Sequence, residues 1–130
     1  MVEPFIFIAT NRLKPGALEA ERQRVPELSA FIEASEPRLL AFNEYVNQDG
    51  TEVAVVQVHP DAASMEFHMG VVRERAERAY GQTLEATVSV QVFGTPSARI
   101  LEMLRLQAGA NVAVSVKPHR LGGFSRLAML

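Results

Sequence analysis

Hydrophobic and polar positions change period several times along the chain, and each change marks an element. Pro4 to Asn11 (PFIFIATN) is dense in aromatic and β-branched residues, which predicts a strand. Lys14-Pro15-Gly16 predicts a turn. From Ala17 to Ser35 the apolar positions Leu18, Val25, Leu28, Phe31 and Ile32 recur at helical spacing. Pro26 lies inside that run and is expected to kink or restart the helix, because proline supplies no backbone donor. Glu36-Pro37 ends it. Leu39 to Asn47 and Glu52 to His59 are two further strands, joined by an Asp49-Gly50 hairpin signal. Asp61 is placed to cap a second helix, whose inner stripe is Ala62, Met65, Met69, Val72, Ala76 and Ala79.

Glu85 to Phe93 alternates as a fourth strand. Strict alternation puts Val88, Val90 and Val92 on one face and Thr87, Ser89, Gln91 and Phe93 on the other. Thr95-Pro96 reads as the start of a third helix, with Thr95 as its cap; Ile100, Leu101, Leu104 and Ala108 turn inward, and Gly109 stops it. Val112, Val114 and Val116 alternate as a short fifth strand, and residues 118–130 look irregular. The order β-α-β-β-α-β is that of the ferredoxin-like split βαβ unit, with an α-β extension added. The expected fold class is therefore α+β, an antiparallel sheet with helices on one face. One domain is expected over residues 1–130, with a core at 4–94 and an extension at 95–130. Val53, Val55, Gln57 and His59 share one face of the third strand, and Ala54, Val56 and Val58 share the other. Both faces are too apolar for water, so a second copy is expected to cover the spare face, giving a homodimer.

Composition narrows the function classes. The 130 residues are 48% hydrophobic and 22% charged, an ordinary globular balance. No cysteine is present, which removes disulfides, thiolate nucleophiles and cysteine-ligated metals. A net charge of −2 gives no support for nucleic-acid binding. No apolar run approaches the ~20 residues of a membrane span, and no basic leader precedes the first strand, so a cytoplasmic location is expected. Charge is uneven: residues 1–95 carry 8 Lys+Arg against 14 Asp+Glu, whereas residues 96–130 carry 5 against 1. A basic tail docking on the acidic body, or on a second copy, is one consequence; a solvated tail is the other.

Three histidines are the main candidates for chemistry. His68 falls beside the buried stripe of the second helix, where it is either a general base or a core histidine with a satisfied partner. His59 ends the third strand, and with His68 and Glu44 or Glu66 it would form a weak metal constellation, for which no close His pair speaks. A role at the start of the next helix suits His59 better. His119, in Lys117-Pro118-His119-Arg120, either covers a pocket mouth or belongs to a tail held by Phe124. Asn11, Asn43 and Tyr45 are strand polars able to orient a keto or phenolic ligand, or to sit at a dimer face. Phe42 and Glu44 share the opposite face of that strand. Met65, Phe67 and Met69 line an apolar pocket or are plain core. Ser-His-Asp, P-loop, dinucleotide and EF-hand patterns are absent.

Three stretches, FIFIATNRLKPG (Phe5 to Gly16), LLAFNEYVNQDGTEVAVVQVHPDAASMEFH (Leu39 to His68) and TVSVQVFG (Thr87 to Gly94), resemble the dimeric α+β barrel superfamily. The nearest branch is the antibiotic-biosynthesis-monooxygenase-like one. The resemblance covers about residues 4–94 and is one of pattern, without a diagnostic motif; the 36 residues after Gly94 lie beyond it. It implies a pocket between sheet and helices in each subunit, and a small-molecule-binding protein. Some members are cofactor-independent monooxygenases of apolar aromatic substrates, which makes His68 a base and Asn11 an orienting group, with Tyr45, Met65, Met69, His59 and Phe42 about the substrate. That chemistry needs no bound cofactor and no metal. Others degrade haem with an Asn, a Trp and a His. Asn11 matches that Asn, but the chain has no Trp, His68 falls near the Trp position, and the later His has no counterpart. Haem binding therefore ranks last. A non-catalytic dimerisation module is the competing reading. An enclosed pocket holding His68 and a second polar group would favour the enzyme.

Overall fold

The computed structural model describes residues 3–126. Its elements are β1 (Phe5–Leu13), α1 (Leu18–Ser35), β2 (Ala41–Val46), β3 (Glu52–His59), α2 (Ala62–Gln82), β4 (Leu84–Phe93), α3 (Ala98–Ala108) and β5 (Val114–Lys117). One sheet contains all five strands in the order β2-β3-β1-β4-β5. The first four strands pair antiparallel, in the ferredoxin-like arrangement. β5 joins β4 in parallel, because α3 carries the chain back across the sheet between them. The extension thus widens the sheet rather than forming a separate unit.

Local signals explain most boundaries. Gly50 takes φ 74° in the β2–β3 hairpin, and the Asn47 side chain accepts from the Thr51 and Glu52 amides at 2.9 and 3.0 Å. Asp61 caps α2 by accepting from the Ser64 amide at 2.9 Å. Other boundaries differ from the sequence pattern. α1 runs through Pro26 as one helix, without a restart. The cap of α3 is Ser97, whose hydroxyl accepts from the Ile100 amide at 3.1 Å, rather than Thr95. Val112 stays outside β5 in a turn closed on Gly109.

β4 holds the largest departure. Its register against β1 slips twice: Thr10 pairs with Ser89 but Asn11 with Thr87, and Arg12 pairs with Ala86 but Leu13 with Leu84. Each slip inserts one extra residue, a β-bulge. The bulge at Val88 inverts the alternation below it, so Thr87 joins Val90 and Val92 on the helix-covered face and Val88 turns out to 37% exposure.

All three helices pack on one face of the sheet. Phe5, Phe7, Met65, Met69, Val90, Val92, Ile100 and Leu104 form one core at the α2–α3 side. Leu13, Val53, Ala79 and Leu84 form a second at the far end of β1. Between these two cores the interior is open. The opposite face carries Ile6, Ile8, Val56 and Val58, all half-buried, beside the exposed Tyr45. No helix of the described residues is long and apolar enough to cross a membrane. The irregular tail does not dock on its own chain through Phe124, which is 79% exposed, and His119 is exposed as well. Residues 127–130 of that tail lie outside the described residues.

Candidate active site

A cavity of about 770 Å³ separates the two cores. Its floor is the covered face of the sheet. Cross-strand register lays that face out in rows: Phe42, Gln57, Phe7 and Val92, then Glu44, Val55, Ala9 and Val90, then Val46, Val53, Asn11 and Thr87. The middle row holds the small residues Val55 and Ala9, and the space they leave is what α1 and α2 roof over. Leu28 and Ile32 of α1, and Met65, Met69, Val72 and Ala76 of α2, give the roof its apolar surface.

His68 is buried, on the cavity-facing side of α2. Its Nδ1 lies 2.8 and 3.0 Å from the two carboxylate oxygens of Glu36, which is also buried. A carboxylate only accepts, so Nδ1 carries the proton and donates. Among the described residues no bond is made by Nε2, and no buried polar side-chain atom lacks a partner; Nε2 therefore meets the open space of the cavity. The carboxylate fixes the ring's tautomer and stabilises the imidazolium that proton uptake would form, which is the geometry of a general base. The Phe42 ring stands 5.9 Å from the His68 ring, centroid to centroid, and walls this end.

His59 lies behind the cavity rather than in its wall. Its ring is 5.7 Å from that of His68, and it is fully buried. Nδ1 contacts the Ser64 hydroxyl at 2.8 Å, and Nε2 contacts Gln57 Oε1 at 2.9 Å. Burial, and then the neighbouring His68, pull its pKa down to about 3. With both nitrogens engaged it has no lone pair for a metal, and no group of three or more metal-ligating side chains gathers among the described residues. Glu66 turns away to accept from the Ser97 hydroxyl.

At the far end of the floor, Asn11 Oδ1 lies 2.7 Å from the Tyr80 hydroxyl and 2.9 Å from that of Thr87, which are themselves 2.7 Å apart. Thr87 reaches this triangle only because the bulge at Val88 turns it inward. On the α1 side, Arg24 grips Glu21 with two bonds of 2.8 Å, and the Thr83 hydroxyl donates to Glu21 at 2.7 Å. Glu44 lines the cavity next to them, with Arg24 at 3.9 Å. Burial opposes charge on both carboxyls. At Glu21 the bonds from Arg24, Glu44 and Thr83 outweigh it and hold the pKa at about 2. At Glu44, burial together with the bond and charge of Glu21 pushes the pKa up to about 9. The pair thus carries one proton, on Glu44.

Of the residues singled out from the sequence, His68, Asn11, Phe42, Met65 and Met69 come together in the cavity. Tyr45 does not: alternation along β2 puts it on the opposite face with Asn43, 64% exposed. Glu36, Gln57, Tyr80, Thr87 and Arg24 were missed, and Glu44 was weighed only as a metal ligand. Gln57 carried a readable signal, a polar residue in the apolar series Val53-Val55-Gln57-His59. Glu36 carried none, since Glu-Pro at a helix end is commonplace.

No family model matches the chain, and no curated protein does. Solved structures do match. MupZ from Pseudomonas fluorescens aligns over 98% of each chain at 17% identity and TM-score 0.71, so the α3–β5 extension is part of the shared fold. An antibiotic biosynthesis monooxygenase aligns over 72% of this chain and 99% of its own, at 19% identity and TM-score 0.59. A putative antibiotic biosynthesis monooxygenase from Bacteroides thetaiotaomicron aligns over 65% and 83%, at 14% and 0.57. The chain has the ferredoxin-like fold of the antibiotic biosynthesis monooxygenases, and in MupZ that fold has nearly the full length seen here.

Proposed function

We propose that this protein is a cofactor-independent enzyme that takes a proton from a small apolar, oxygen-bearing molecule held between sheet and helices. The observation that carries this reading is the buried His68–Glu36 pair, whose free Nε2 faces a cavity of about 770 Å³. A volume of that size suits a molecule of several fused rings. His68 is the base, Glu36 orients it, Phe42, Met65 and Met69 grip the apolar body, and Asn11 holds its far end. Deprotonation leaves a carbanion able to react with dioxygen, which gives a monooxygenase-like outcome for aromatic substrates and agrees with the names of two fold relatives. Haem is the least supported ligand, since the chain has no Trp and α2 carries no histidine after His68.

The same reading includes a homodimer. The open face, with Ile6, Ile8, Val56 and Val58, is apolar enough to favour a second copy packed sheet to sheet, in the dimeric α+β barrel arrangement. Residues 1–130 act as one domain in it, with 95–130 extending the 4–94 core. The test is deuterium exchange into 2-tetralone, an enolisable aryl ketone, followed by NMR in D2O, with oxygen uptake recorded in parallel. Catalysed exchange that His68→Gln loses by about 100-fold or more supports the reading. Exchange equal in wild type and His68→Gln, together with a tetralone that binds, leaves a binding module without catalysis.

A further inference from the structure

Gln57 and His59 stand two apart on the covered face of β3, and together with Ser64 they form a chain that ends in the cavity. His59 is enclosed and stays neutral, so one ring nitrogen donates and the other accepts. Gln57 Oε1 only accepts, so at 2.9 Å from it Nε2 is the nitrogen that carries the hydrogen. Nδ1 then accepts, and the Ser64 hydroxyl donates to it at 2.8 Å. Every member of the chain is satisfied in this sense. With its carbonyl spent on His59, Gln57 has only its NH2 left for the cavity. That nitrogen makes no bond among the described residues and is not a buried orphan, so it meets the same open space as His68 Nε2. The two groups share one end of the cavity: Gln57 pairs across strands with Phe42, whose ring packs against that of His68.

We propose that the Gln57 amide is the hydrogen-bond donor for the substrate oxygen on which charge develops, and that His59 is a positioning residue that fixes which end of that amide faces the ligand. The inference rests on the proton-abstraction reading above and narrows its substrate class to ketones and phenol-like molecules with an oxygen beside the reacting carbon. In the step, the Nε2 lone pair of His68 takes a proton from the carbon next to the carbonyl. The C–H electron pair forms the new C=C bond, and the carbonyl π pair moves onto oxygen. The enolate oxygen accepts from the Gln57 N–H, and no electron leaves the substrate. An amide fixed beforehand by a histidine that does not ionise costs no reorganisation when that charge appears.

Two measurements on the full-length protein test this. ¹⁵N NMR of the imidazoles should show His59 protonated at Nε2 and bare at Nδ1; the opposite tautomer overturns the proposal, because Gln57 would then turn its carbonyl to the cavity. Binding of 4-nitrophenolate, an enolate mimic, is then compared with that of 4-nitroanisole, which has the same body without the charge. Gln57→Leu should weaken 4-nitrophenolate by about 10- to 100-fold, the worth of a hydrogen bond to a charged group, and leave 4-nitroanisole within about twofold. Equal changes for both ligands overturn the proposal and leave the cavity reading standing. A wild type that binds neither ligand overturns the cavity reading, and the Gln57 assignment with it.

Discussion

The two faces of the sheet depart from the usual pattern in different ways. The face under the helices sets Asn11, Glu44, Gln57, His59 and Thr87 among the buried Phe5, Phe7, Val53, Val90 and Val92, whereas the face without helices carries a half-buried cluster of Ile6, Ile8, Val56 and Val58. A sheet built only for stability would keep such polar residues off its inner face and such aliphatic ones off its outer face. Burying polar groups costs free energy unless each finds a partner, and among the described residues no fully buried side-chain nitrogen or oxygen lacks one. The covered face therefore serves a hollow, largely apolar interior with polar groups at its ends, and the open face is the one that the proposed dimer covers.

The sharpest break of the comparison is at its centre. His68→Leu leaves Glu36 buried without its partner and should cost about 3–5 kcal/mol of unfolding free energy in urea titrations, together with all catalysed proton exchange. A charge placed on the other face should act differently. Val56→Lys should leave the fold intact by circular dichroism and shift the dimer to monomer in light scattering at micromolar concentration, a loss of about 2–5 kcal/mol of association. A wild type that is already monomeric at that concentration removes the sheet-to-sheet argument.

Glu44 sharpens the comparison through pH. Its folded pKa of about 9 stands above the ordinary value of 4.5, so folding takes up a proton and the stability tied to Glu44 falls as pH rises through that window. Glu44→Gln is neutral at every pH. Its stability relative to wild type should improve by up to about 1.4 kcal/mol per pH unit between pH 5 and 8, read from urea midpoints. Glu21, held at about 2, works in the opposite direction: its contribution is complete above about 4.5 and is lost as pH falls towards 2. The smallest effect belongs to the tail. Phe124 is largely exposed, so Phe124→Ala should stay within about 0.5 kcal/mol of wild type.

Much of the fold was legible because short-range signals agreed: β-branched runs, the Asp49-Gly50 turn, the Asp61 cap and the α2 stripe each point the same way as the final topology. Half of the site was legible for the same reason. His68, Met65 and Met69 follow from helical spacing, Phe42 from strand alternation, and Asn11 from its place in the family resemblance. Thr87 was not, because a bulge is a property of two paired strands and strict alternation along one strand puts that residue outside. Tyr80 and Asn11 meet across 69 positions of sequence, and Glu36 and His68 across 32.

Periodicity and turn chemistry are local, and they determined the elements, their order and the ferredoxin-like layout. Which of the many buried polar side chains find one another was decided only when the sheet register and the helix positions brought distant residues within about 3 Å. Hydrogen bonds act over that distance alone, so the pairing of His68 with Glu36, the chain Ser64–His59–Gln57 and the proton that Glu44 keeps beside Glu21 belong to the tertiary structure.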